Sequence, residues 1–563
     1  MKPFPHYSKR QVDELDGLWD FAFFEGESLL DVEVANICFK KRTPVPAAFD
    51  TLPDQRAKRG TAAYRRILQI APNSRSLLEF GAVSFTCRIL IDGVCLKEHF
   101  CGYSPFEVEL PVSDKREREL IVLADNRFDF ERTPMHEAFF DFYQFGGIIR
   151  QVFLHHLPGN AIMDVHVDVQ DLGNRLVKVA GRLDGQGVQD KEITITSLDI
   201  NAESATAIAD ESGCFETTLS LGDAELWSPD SPALYCLHLC CGEDDMIVRF
   251  GFREVKTEGC KLLLNGEPVR LLGYNRHEYF PNYGPSTPYS QMVADIQILK
   301  DTGCNFVRGS HYPQDQHFLD LCDELGMLVW EEALGWGQRE KQLTDKRFQE
   351  HHRVSLEEMV ARSYNHPSII IWGFLNEASS DEEFARPIFE ESISYLRSAG
   401  GNRLVSYASM FPDKDLYFGL CDVVSINMYP GWYGCEDHPD PLSLIVPHIR
   451  AQIEKLAAAG LDDRPFLISE IGCEGLRGWH DEQRDFHSEE YQHDYLKLVC
   501  EEAVANQNLL GVCLWHFSDA KTYAGGRALM RPRAFNNKGT FDEYRRPKLG
   551  RDAVRSAFIK SQS

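Results

Sequence analysis

HPSIIIWGFLNE, residues 366–377, strings together Ile369, Ile370, Ile371 and Trp372 and then stops on an amide and a carboxylate, Asn376 and Glu377. A run without polar alternation reads as a strand buried on both faces, the kind found in parallel sheets covered by helices. The chain has to surface at Asn376-Glu377, and in parallel α/β proteins ligands meet the C-terminal ends of the strands. The stretch is therefore a candidate active-site strand.

Working outward, seven more short buried runs (269–274, 305–308, 327–330, 404–407, 423–426, 466–468 and 509–515) alternate with helical stretches. Met292, Ile296 and Leu299 fall at helical spacing between the first two of the eight, and Ile449, Ile453 and Leu456 do so between 423–426 and 466–468. Eight such repeats in about 310 residues predict a (β/α)8 barrel. Upstream the rhythm is all-β. Val83, Phe85, Cys87, Ile89 and Ile91 alternate with other residues and run into an Asp92-Gly93 hairpin signal. A second β block shows alternation at Val165, Val167 and Val169 and again at Ile193 and Ile195. The expected order is a jelly-roll β-sandwich at 1–158, an immunoglobulin-like β-sandwich at 159–252 and the barrel at 253–563.

A balance of 59 basic against 86 acidic residues leaves a net charge of -27, which disfavours nucleic acid and anionic membrane as partners. No apolar run is long enough to span a bilayer, and MKPFPHYSKRQVDELDG lacks the apolar core of a secretory signal, so a cytoplasmic protein is expected. The 16 cysteines, Cys87, Cys304, Cys322 and Cys513 among them, sit in apolar runs and read as buried free thiols. No CxxC pair occurs, and neither HEYFP at His277 nor EHH at Glu350 supplies HExxH, so no protein-ligated metal is expected.

The ends of the eight runs are unusually polar. In order they deliver Asn275 to Glu278, Gly309 to Tyr312, Glu331-Glu332, Asn376-Glu377, Ser409-Met410, Asn427 with Tyr429 and Tyr433, Glu470, and His516 to Asp519. Glu377 and Glu470 end the fourth and seventh runs and so face one another across a barrel mouth. Glycoside hydrolysis needs such a pair, one carboxyl to protonate the leaving oxygen and one to attack the anomeric carbon, about 5 to 5.5 Å apart in a retaining enzyme. Phosphoryl transfer would want a glycine-rich cradle and Schiff-base chemistry a strand-end lysine.

With LWSPDSPALY, LLGYNRHE, NFVRGSHYP, HPSIIIWGFLNE, INMYPGWYG and FLISEIG in one order, the chain resembles glycoside hydrolase family 2, the β-galactosidases, β-mannosidases and β-glucuronidases, over nearly its whole length. The resemblance implies Glu377 as general acid/base, Glu470 as nucleophile, and Asn376 as a donor to the sugar 2-hydroxyl. It places Tyr433 beside Glu470, His277, Asn427 and Tyr429 in the pocket wall, and Trp515 as an aromatic floor. Asp141, in DFYQFGGIIR, would bring the first domain into the site. FNNK, 535–538, resembles the Asn-x-Lys motif of β-glucuronidases, which implies that Asn536 and Lys538 bind a C6 carboxylate. The arginine usual four residues before that asparagine is here Pro532, leaving Arg531 and Arg533 as alternatives, and Arg339 near the rim is a further cation that could admit a galacturonide. The segment 335–351 is shorter than the long active-site loop of some bacterial relatives, which implies an open mouth and large aglycones.

The expected activity is that of a retaining exo-β-glucuronidase acting on small-molecule or oligosaccharide glucuronides, without a cofactor, in a homo-oligomer that the family suggests is a tetramer. A β-galacturonidase or an enzyme accepting both uronides, and then a β-galactosidase, are the alternatives within the class. An inactive carbohydrate-binding relative is the alternative outside it, and the presence of both Glu377 and Glu470 argues against that.

Overall fold

Ile369–Gly373 is the fourth strand of a parallel ring in the computed structural model, which describes residues 2–131, 135, 141–523 and 531–561. The ring runs through Leu271–Asn275, Phe306–Gly309, Leu328–Glu332, Ile369–Gly373, Leu404–Ser406 continued by Ala408–Ser409, Val424–Asn427, Phe466–Ile471 and Gly511–Leu514. The eighth strand pairs with the first. The fifth completes the circuit, its first half pairing with the fourth strand and its second half with the sixth. Each of the eight apolar runs holds one of these strands.

The fourth strand is buried on both sides. Ile369 and Trp372 pack in a cluster with the helical residues Leu356, Met359, Ile393 and Leu396, while Ile370 and Ile371 pack with Trp227, Phe306, Leu328 and Trp330. The helices Tyr289–Asp301 and Ile445–Ala458 bury Met292, Ile296 and Leu299, and Ile449 and Leu456, toward the ring.

Ahead of the barrel lie two sandwiches. The first pairs a four-stranded with a six-stranded antiparallel sheet, and the second a three-stranded with a four-stranded one. Asp92 and Gly93 both have positive φ, 49° and 83°, as a two-residue hairpin turn requires, and join Thr86–Ile91 to Val94–His99. The alternation at 83–91 predicts a strand with one polar face. Instead Leu90 is also buried, because Leu29 and Val32 lie over that face with Ala63, Ile121 and Leu123.

Two arginines lock the sandwiches to the barrel. Arg150 donates to Glu278 (2.9 Å), to the Pro313 carbonyl (2.7 Å) and to the Tyr103 carbonyl (2.7 Å), which sets the first sandwich beside the ends of the first two barrel strands. At the opposite end Arg253 donates to the carbonyls of Pro367 (3.0 Å) and Ile369 (2.7 Å), while Trp227 donates to that of Asp323 (2.8 Å). Among the described residues, no helix is long and apolar enough to cross a membrane.

Candidate active site

The fourth strand ends in a contorted turn. Leu375 and Glu377 both have positive φ, 44° and 52°, a conformation costly for residues other than glycine. It is held by backbone bonds from Asn376 to the Gly335 carbonyl (3.1 Å), from Glu377 to the Ala408 carbonyl (2.9 Å) and from Gly337 to the Asn376 carbonyl (2.8 Å). Neighbouring side chains of a regular strand point to opposite faces; here Asn376 and Glu377 both reach the same partner, Asn427.

Asn427 ends the sixth strand and donates to Glu377 Oε1 (2.9 Å) and Asn376 Oδ1 (3.1 Å), its own oxygen accepting from Ser469 (2.8 Å). Glu470, on the seventh strand, accepts from Arg308 Nη1 (2.9 Å) on one oxygen and from the Tyr429 hydroxyl (2.8 Å) on the other. A Cβ at Gly472 would lie 2.1 Å from the Trp515 carbonyl oxygen, so glycine there lets the seventh and eighth strand ends meet. Trp515 is stacked on His311 with ring centres 5.2 Å apart and meets His277 edge-on at 5.3 Å.

Arg308 ties the site together, a role not read from the sequence. Fully buried, it forks onto Glu332 (2.8 and 3.0 Å) and also reaches Glu470, Asn376 (2.9 Å) and Asn275 (3.0 Å). A charged residue closing the apolar run 305–308 is the one signal that could have drawn attention to it. Because Arg308 holds Asn376 by its oxygen, the Asn376 amide nitrogen is left without a partner among the described residues.

Burial raises the carboxyl of Glu377, and burial together with the charge of Glu377 pushes Glu470 up to about 8, against the pull of Arg308 and Tyr429. Because the two carboxyls repel each other, the pair holds on to one proton that either alone would lose more readily. Glu470 has two direct donors, one of them charged, and Glu377 has one amide. We therefore place the charge on Glu470 and the shared proton on Glu377. Burial drives His277 and His311 well below the usual histidine range, so both are neutral near pH 7.

A pocket of about 850 Å³ opens over these groups, lined by Glu377, Glu470, Asn427, Tyr429, Tyr433, Trp515, Asp141 and Arg531 with an apolar rim that includes Trp336, Met410 and Pro447. Of the other residues expected here, Asn376, His277, Asn536 and Lys538 stand behind that lining. Tyr433, expected near Glu470, lines the same pocket, but the hydrogen bond to Glu470 comes from Tyr429. The Tyr433 hydroxyl accepts instead from Lys538 (2.8 Å) and Arg531 (3.1 Å). The loop after the sixth strand turns at Gly431, with φ 74°, between the two tyrosines.

Between the two arginines left open by sequence, Arg531 faces the pocket, reaching Asp141 (2.9 Å) and Glu474 (2.8 Å). Arg533 is turned toward Glu543 (2.9 Å) and Asn537 (3.0 Å), its φ of 64° carrying the chain away. Arg339 is exposed and spends its guanidinium on the backbone carbonyl of Glu377 (2.5 Å). Lys538 is fully buried, with its ammonium 4.8 to 5.7 Å from the ring centres of Tyr433, Trp432 and Tyr429. The buried Asn536 amide nitrogen has no partner among the described residues. Glu474 is the second residue the sequence did not disclose.

Residues 255–560 match the model of glycosyl hydrolases family 2, TIM barrel domain, and residues 149–253 that of glycosyl hydrolases family 2. A β-glucuronidase of Streptococcus agalactiae is 27% identical over 96% of this chain and 94% of its own, and one of Mus musculus 28% identical over 99% and 91%. Among solved structures, a β-galacturonidase from Eisenbergiella tayi bound to galacturonate superposes with a TM-score of 0.89 at 32% identity, covering 100% of this chain and 98% of that one. A Faecalibacterium prausnitzii β-glucuronidase gives 0.86 at 26% identity, covering 100% and 99%. With the family's barrel model spanning more than half of it, the chain belongs to glycosyl hydrolases family 2 and is an enzyme of O-glycosyl bond hydrolysis.

Proposed function

We propose that the enzyme is a retaining exo-β-glucuronidase. Glu377 gives its proton to the leaving oxygen as Glu470 attacks the anomeric carbon, forming a covalent glycosyl-enzyme. Glu377, now a carboxylate, then takes a proton from the water that attacks this ester, which frees Glu470 and returns the sugar with its β configuration. The Asn376 amide, with its hydrogens uncommitted, donates to the 2-hydroxyl, a bond that strengthens as charge develops on the ring.

The observation that carries the uronide reading is the pair of cations, Arg531 and Lys538, converging on the Tyr433 hydroxyl at the pocket wall. Desolvated cations of this kind suit a carboxylate, and the unpartnered amide of Asn536 adds a donor. Curated relatives that are β-glucuronidases support the glucuronide. A galacturonide is the second reading, favoured by the 32% identity to the galacturonate-bound Eisenbergiella tayi enzyme.

Initial rates on p-nitrophenyl β-D-glucuronide, β-D-galacturonide and β-D-galactoside, with a Lys538→Ala variant beside the parent, test both readings. The expected result is preference for the glucuronide that is lost with Lys538. A faster galacturonide favours the second reading, and galactoside turnover that survives the substitution overturns the uronide assignment.

A further inference from the structure

Glu474 follows the seventh strand and is fully buried, yet it lies outside the pocket lining. One of its oxygens accepts from Arg531 Nη1 (2.8 Å) and faces Lys538 Nζ at 3.6 Å. The other is braced by the Asn537 amide (3.4 Å) and faces His487 Nδ1 at 3.6 Å. Arg531 spans outward from there to Asp141, and both cations reach the same phenolic oxygen of Tyr433.

We propose that Glu474 is the positioning residue for carboxylate recognition: it clamps Arg531 and Lys538 on a single oxygen, so that the two present a preformed cationic fork to the substrate's C6 carboxylate. Two cations brought together in a dry wall repel each other, and without an anion between them one would swing out or lose its charge. A carboxylate behind them removes that repulsion before substrate arrives. Substrate then meets an already ordered fork, and the ordering cost is not charged to binding. Burial opposes ionisation of Glu474, but Lys538, His487 and Arg531 outweigh it and hold the carboxyl at about 2, so it is an anion throughout the working range. Position specifies it further: Asp141 pairs with Arg531, whereas Glu474 faces both Arg531 and Lys538 with one oxygen.

The inference rests on the uronidase reading, and one comparison separates the two. The measurement is kcat and KM for parent, Glu474→Gln and Glu474→Asp on p-nitrophenyl β-D-glucuronide and on the β-D-glucoside, which carries a hydroxymethyl in place of the carboxylate. In the glutamine variant kcat/KM for the glucuronide is expected to fall about tenfold to a hundredfold, mostly through KM, as with other outer-shell supports. The glucoside value should change less than about threefold. Aspartate, which keeps the charge at shorter reach, should recover part of the preference. A merely structural role would lower both substrates together. A parent without preference for the uronide overturns the function and the inference alike. A parent with the preference and a glutamine variant that keeps it overturns the inference alone. If the glutamine variant does not fold, the aspartate variant decides: an unchanged preference ratio counts against the clamp.

Discussion

Replacing Arg308 by glutamine is the most informative perturbation of the catalytic pair. The guanidinium makes six hydrogen bonds, two to Glu332 and one each to Glu470, Asn275, Asn376 and His311 Nδ1, with no solvent in reach. Its loss leaves two buried carboxylates facing an amide, which should cost about 3 to 5 kcal/mol of stability. On the reaction, the charge-assisted bond to Glu470 contributes about 1.5 to 3 kcal/mol, or roughly tenfold to 150-fold in kcat/KM. The pH dependence carries the more specific signature. Arg308 pulls down a Glu470 carboxyl that burial has already raised, so removing it raises that group further. The nucleophile must be ionised, hence the acidic limb of kcat/KM moves to higher pH and the deficit is largest in acid. The assay is a pH profile on the p-nitrophenyl glucuronide, with urea unfolding alongside. Arg308→Lys, which keeps the charge but not the fork, should return the limb toward its parental position. A glutamine variant within threefold of parent with an unmoved limb refutes the reasoning.

Three further outcomes are expected. Glu377→Gln, assayed on a 2,4-dinitrophenyl glycoside whose leaving group needs no proton, should lose the alkaline limb, because the raised carboxyl whose deprotonation defines it is gone; persistence of that limb would place the proton elsewhere. Tyr429→Phe removes the 2.8 Å bond to Glu470 and should lower kcat about tenfold to a hundredfold with little change in KM. Steady-state kinetics check this, and a pure KM effect would make Tyr429 a substrate contact instead. Arg339→Ala should change kcat/KM by less than about fivefold, since its guanidinium serves an exposed backbone carbonyl. A KM for the uronide raised more than tenfold would show that it meets the sugar.

Much of this architecture was legible along the chain because a strand covered on both faces must be apolar throughout. The run at 369–372 advertises that, and the residues after such runs are where polar groups reappear. Glu377 and Glu470 were visible for the same reason. Arg308 was hidden because its partners come from the first, third, fourth and seventh strands, and nothing local distinguishes it from a strand-end solvated arginine. Glu474 likewise acquires its meaning only when residues 531 and 538 fold back behind the seventh strand. The exchange of Tyr429 for Tyr433 depends on a loop turning at Gly431, and the choice of Arg531 over Arg533 on left-handed backbone at Arg533 and Ala534, φ 64° and 58°. Composition and periodicity do not encode such turns at single-residue resolution.

The most direct test of the proposed chemistry is to incubate the enzyme with an activated 2-deoxy-2-fluoro-β-D-glucuronide, which forms the glycosyl-enzyme quickly and releases it slowly, and to locate the label by mass spectrometry of the digested protein. The expected result is one equivalent of fluoro-glucuronyl on the peptide carrying Glu470, with none in Glu470→Gln. A label on Glu377 or Glu332, or turnover of the parent glucuronide that yields the α-anomer first, would contradict Glu470 as the nucleophile.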